Sequence, residues 1–124
     1  MTKLLLIALG GSAGALLRYL VSGWVQQLSG GSFPLGTLIV NLIGCLAIGF
    51  LAAVFTGPLI VREEYRIAVL VGLLGSFTTF STFGYETLTL IRDGALWPAL
   101  ASVTGNVVLG VTAVWLGRAL VRLF

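Results

Sequence analysis

Four apolar stretches of about twenty residues each, joined by brief polar connections, constrain this chain more than any other feature, because that is the length a helix needs to cross hydrocarbon. They lie at about 4–25, 35–55, 67–91 and 96–116 of 124 residues, so the expected architecture is a single all-α, four-helix transmembrane domain. Hydrophobic residues make up 58% of the chain and charged residues 9%, too few solvating side chains to coat a water-soluble globule of this size. The first stretch continues past Arg18 without an obvious cleavage site and is expected to be retained rather than removed as a signal.

Charge gives direction. An even number of spans puts both termini on one side with the second connection, and that side collects Lys3, Arg62, Arg66, Arg118 and Arg122. Arg92 and Arg18 stand against them, so cytoplasmic termini are expected for the favoured orientation. The net charge of +3 does not point to nucleic acid, because the basic residues are scattered along the chain; membrane lipid is the expected neighbour. The absence of histidine excludes a histidine-assisted nucleophile, and Cys45, the only cysteine, can form neither an intrachain disulfide nor a thiolate cluster. An enzyme is not expected.

Polar groups at membrane depth need partners or a path. In the first span Arg18 either snorkels, joins a structural ion pair or draws an anion into a vestibule. In the second, Thr37, Asn41 and Gly44 share a helical stripe, and the Asn41 amide can glue helices or ligate an ion. Asn106, with Ser102 and Thr104, poses the same choice in the fourth. Glu86 is a carboxylate within the third span, suited equally to proton transfer or to structural hydrogen bonding. Each span also carries small residues at helical spacing, Gly10 and Gly14, Gly44 and Gly49, Gly72 and Gly75, and Ser102 and Gly110, which let helix backbones approach.

The third span differs in kind. Between Gly72 and Gly84 it places Ser76, Thr78, Thr79, Ser81 and Thr82 around Phe77, Phe80 and Phe83. Hydroxyls that bond back to carbonyls, together with glycine, make a local break plausible, with packing of an intact helix as the alternative. Carbonyls released by a break suit a hard cation such as Na⁺. The ring edges of Phe80 and Phe83 carry positive potential and can meet an anion, or the rings can form an ordinary aromatic stripe. Four helices hardly enclose an ion path alone, so an assembly of several chains is expected.

Three segments resemble the Fluc/CrcB family of fluoride channels. Residues 10–19, GGSAGALLRY, look like its GGxxGAxxRY opening; 36–44, GTLIVNLIG, like its GTxxVNxxG; and 72–83, GLLGSFTTFSTF, like its GxxGxxTTFSTF signature. The resemblance implies an antiparallel, dual-topology homodimer in the plasma membrane (the bacterial inner membrane), with the third helix broken near its middle, two fluoride pores and a central structural Na⁺. It would make Gly75 and Thr78 the carbonyl donors to Na⁺ and place Asn41, Phe80, Ser81, Thr82 and Phe83 along the anion path, with Asn106 as a further candidate. Arg18, Thr37, Glu86 and Thr104 would be vestibule or structural polar groups. The implied activity is passive fluoride export that relieves cytoplasmic toxicity. Two alternatives stay open: a small dual-topology, proton-coupled exporter relying on Glu86, and a membrane scaffold that conducts nothing.

Overall fold

Long apolar stretches leave the backbone only one way to satisfy itself in lipid, which is to close hydrogen bonds within each segment. The computed structural model describes residues 1–123, and among them all regular structure is helical. Helix α1 covers Thr2–Ser29, α2 Leu35–Thr56, α3 residues 63–77, α4 Phe80–Arg92 and α5 Leu96–Leu123. Together α3 and α4 form one span, Glu63–Arg92, so four stretches are long and apolar enough to cross a bilayer. Several run beyond the apolar cores read from the sequence because charged end residues continue the helix. Lys3 Nζ donates to Glu63 Oε1 at 2.8 Å, tying the start of α1 to the start of α3.

Each connection closes locally. Gly30, at φ 61°, ends α1 in the left-handed conformation, and its N–H returns to the Gln26 carbonyl. The Gln26 side chain then donates to the carbonyls of Gly31 and Phe33, both at 3.0 Å, and accepts from the Gly36 N–H at 3.1 Å. Between α4 and α5, Gly94 at φ 76° turns the chain so that the Ala95 N–H reaches Leu90 O.

Packing follows the small residues. Helix α1 lies on α3 and α2 lies on α5. A Cβ at Gly14 would run into the Leu73 carbonyl, one at Gly49 into the Val114 carbonyl, and one at Gly117 into the Leu46 carbonyl. Backbones approach this closely because dispersion, with no hydrophobic drive in lipid, has to hold the helices together. Two wide turns with i→i+5 geometry, Ala68–Leu74 and Gly105–Leu109, interrupt α3 and α5. Such turns re-aim the side chains that follow them.

The interior is thin. Val40 and Ser102 are the largest fully buried side chains, whereas Leu4, Leu9, Leu16, Trp97 and Trp115 face outward. The accessible surface of 8008 Å² exceeds the roughly 6,300 Å² expected for a compact soluble monomer of this mass. Lipid or other chains must cover the excess.

Candidate functional site

The third span stops being a helix at two residues. Thr78 (φ −82°, ψ 159°) and Thr79 (φ −149°, ψ 121°) are extended, and α4 restarts at Phe80. A break at this depth leaves backbone groups that water cannot satisfy, so protein must do it. Asn41 does most of it. Its Oδ1 accepts the Thr79 N–H at 2.8 Å, and its Nδ2 donates to Thr79 O at 3.0 Å, so one side-chain amide pairs with both backbone groups of one residue. Thr79 also caps α4, its Oγ1 accepting the Thr82 N–H at 3.2 Å.

The direction of every amide here is fixed by chemistry. Because a backbone N–H can only donate, Asn41 must present its oxygen to Thr79, and its remaining N–H then donates to Asn106 Oδ1 at 2.7 Å. Asn106 in turn donates to Ser102 O at 2.9 Å. Both hydrogens of the Asn41 amide are engaged, and one of Asn106's remains.

The same rearrangement diverts two donors. In a continuous α-helix the Thr79 N–H would bond Gly75 O and the Thr82 N–H would bond Thr78 O. Here they go to Asn41 and to the Thr79 hydroxyl. The carbonyls named for a cation are therefore among those that lose their α-helical donors at the break. Among the described residues no cluster of His, Cys, Asp or Glu could hold a metal, so any cation here would rest on neutral oxygen.

A cavity of about 330 Å³ opens at the break, walled by Asn41, Gly44, Thr78, Phe80, Phe83 and Asn106. Gly44 makes room for Thr78, whose methyl occupies the place a Cβ would take. The rings of Phe80 and Phe83 meet edge to face, 5.4 Å apart at 65°. Phe83 is buried, but Phe80 is 81% exposed and projects from the chain with Ser81 and Thr82. Glu86 is reached from α2, where the Thr37 hydroxyl donates to its Oε1 at 2.9 Å. Its Oε2 is buried with no hydrogen-bond partner among the described residues.

Six of the candidates do not line this cavity: Arg18, Thr37, Ser81, Thr82, Glu86 and Thr104. Arg18 is half-buried on α1 and makes no ion pair among the described residues. Thr104 faces outward, two residues and roughly 200° around the helix from Asn106, so the structure does not bring it to the cavity. Conversely, in sequence Thr79 is one hydroxyl among several, yet in the structure it is the hub of the break. The signal is in the sequence: a Thr immediately before the first residue of an aromatic-bearing helix is an N-cap candidate. Ser102, fully buried 3.4 Å from the Thr87 hydroxyl, joins α5 to α4.

Comparison with known proteins agrees in extent. The family model described as CrcB-like protein, Camphor Resistance (CrcB), matches residues 5–118. The chain is similar to the Fluoride-specific ion channel FluC of Solibacter usitatus, 47% identical over 120 residues that cover 97% of this chain and 98% of that one. It is 46% identical over 124 residues to that of Chloroflexus aurantiacus, covering 100% and 98%. The corresponding protein of Nitratidesulfovibrio vulgaris is 44% identical over 124 residues, covering 99% of each chain. With three sequence motifs, four apolar spans and end-to-end similarity in agreement, this multi-pass membrane protein belongs to the CrcB-like family.

Proposed function

We propose that this protein is a fluoride channel that lets the ion leave the cytoplasm passively across the plasma membrane. The observation that carries the reading is the cavity at the break, where ring edges and polar hydrogens converge at membrane depth, in a chain whose relatives are named fluoride-specific channels. Fluoride holds its water strongly, so a path must replace that shell with donors while binding loosely enough for exit. The donors available are the second N–H of Asn106, the hydroxyls of Ser81 and Thr82, and the edges of Phe80 and Phe83. Asn41 contributes by holding the break and orienting Asn106.

The working unit in this reading is an antiparallel homodimer. The exposed Phe80 ring and the hydroxyls beside it form half of a lining that a second copy would complete. The carbonyls of Gly75 and Thr78 suit a structural, non-transported Na⁺, with the same pair from the partner on its other side. Such an ion supplies positive charge that holds the broken ends in place; the moving anion is handled by side chains.

Purified protein in liposomes should release fluoride far faster than chloride, read with ion-selective electrodes. Equal rates would sink the selectivity. One observation favours a second reading, a proton-coupled exporter: the buried, unpartnered Glu86 Oε2. Proton-dependent efflux of a cationic compound that disappears in Glu86→Gln, without fluoride flux in the parent, would establish it instead.

A further inference from the structure

Two residues of α2 bear on a single peptide of the break. The Thr78–Thr79 peptide is trans, so its C=O and N–H point in opposite directions. Its N–H, on Thr79, goes to Asn41 Oδ1 at 2.8 Å, which turns the Thr78 carbonyl away from that amide. Three residues further along the same stripe of α2, Gly44 meets Thr78, whose methyl fills the place that a Cβ would take. Thr78 has little freedom to do otherwise. Its N–H and its hydroxyl both donate to Leu74 O, each at 3.1 Å, so the last turn of α3 holds the hydroxyl. With the hydroxyl held there, χ1 of this β-branched side chain is set and the methyl has one direction left, into the notch at Gly44.

This notch differs from the other close approaches in the bundle. A Cβ at Gly14, Gly49 or Gly117 would strike a carbonyl of a facing helix, whereas one at Gly44 would strike a side chain on the extended residue where the helix stops. Gly44 has no positive φ, so the position needs glycine for space and not for backbone freedom. We propose that Gly44 is a positioning residue for the structural cation: its notch seats the Thr78 methyl and so fixes the direction of the Thr78 carbonyl. The inference rests on the Na⁺ reading of Gly75 and Thr78, and Gly44 itself offers the ion nothing. Asn41 and Gly44 on α2 and the Leu74 carbonyl on α3 then hold one peptide from three sides. A carbonyl held this way keeps its aim without being reorganised when an ion arrives, which is what makes preorganised oxygen bind tightly.

The test is the apparent Na⁺ affinity, read from the unfolding midpoint of the purified protein in detergent as Na⁺ replaces choline at constant ionic strength. An ion that binds only the folded state raises that midpoint. Gly44→Ala sets two methyls in one place and should weaken Na⁺ binding about tenfold. Thr78→Ser keeps a hydroxyl for Leu74 O but empties the notch, and should weaken binding about threefold. In the double variant the alanine methyl fills the notch from α2, and affinity should return to within about twofold of the parent. If Gly44→Ala alone does not fold, Thr78→Ser and the double variant decide. Variants whose midpoint in choline falls while their Na⁺ affinity stays at the parent's, or a double variant that binds no better than Thr78→Ser, would mean that the notch serves packing alone and would overturn the positioning role. A parent whose midpoint ignores Na⁺ would instead remove the cation reading, and the role of Gly44 with it, leaving fluoride flux to the liposome measurement.

Discussion

The two halves of the third span solve the problem of holding a helix in lipid in opposite ways. Helix α3 buries Ala68, Gly72, Leu74 and Phe77, and sits so close to α1 that Gly14 has no space for a side chain. Helix α4 is held by polar contacts, Thr37 to Glu86 on one side and Thr87 to Ser102 on another. It leaves Phe80, Tyr85 and Leu88 facing outward. Backbone proximity marks one half, whereas buried side chains, Phe83 and Leu90 together with the hydroxyl contacts, hold the other. The difference shows why the break matters: it separates an anchored segment from one free to present a functional face.

The strongest way to break that division is at the residue joining the halves. Asn41→Ala strands the N–H and C=O of Thr79, and with each group costing about 1–3 kcal/mol it should destabilise the protein by about 2–6 kcal/mol. Thermal unfolding in detergent would register this as a large drop in midpoint, with fluoride flux lost as well. An Asn41 variant of parental stability would disprove the latch. Next, Gly14→Val attacks only the anchored half, since its side chain must displace the Leu73 backbone. Overpacking of about 1–3 kcal/mol is expected, read as a lower unfolding midpoint.

Thr79→Ala removes the cap of α4 while leaving the pairing with Asn41, and should cost about 1 kcal/mol. Hydrogen exchange should accelerate in residues 80–84 and stay unchanged in α3; acceleration in both halves would show that they unfold together. The smallest effect belongs to Thr104→Ala, which faces away from the cavity and should stay within about 0.5 kcal/mol of the parent. Its fluoride flux should match the parent, and a deficit would require a wall of the path that the cavity at the break does not include.

Much of this fold is legible in the sequence because lipid removes alternatives. A run of twenty apolar residues must become a helix, and the glycines that mark close approaches follow from the same constraint. The stretch that houses the break was also visible, as an excess of hydroxyls around three phenylalanines. Its form was not. Whether Asn41 lines a path or bonds a backbone depends on a residue 38 positions away, and no local pattern encodes that pairing. Thr104 and Asn106 look equally polar in sequence, yet half a helical turn sends them to opposite surroundings. The wide turn at Gly105–Leu109 leaves no mark in composition either.

The clasp made by Gln26 bears on biosynthesis. Its three bonds reach only as far as Gly36, so the first connection takes nothing from the rest of the chain. Once α2 has been made, the first two spans can enter the bilayer as a closed hairpin. The third span has no such independence, since the N–H and C=O of Thr79, outside any helix, take their partner from Asn41 on the earlier hairpin. Order of synthesis thus matches order of need: the receptor for the break is in place before the break arrives.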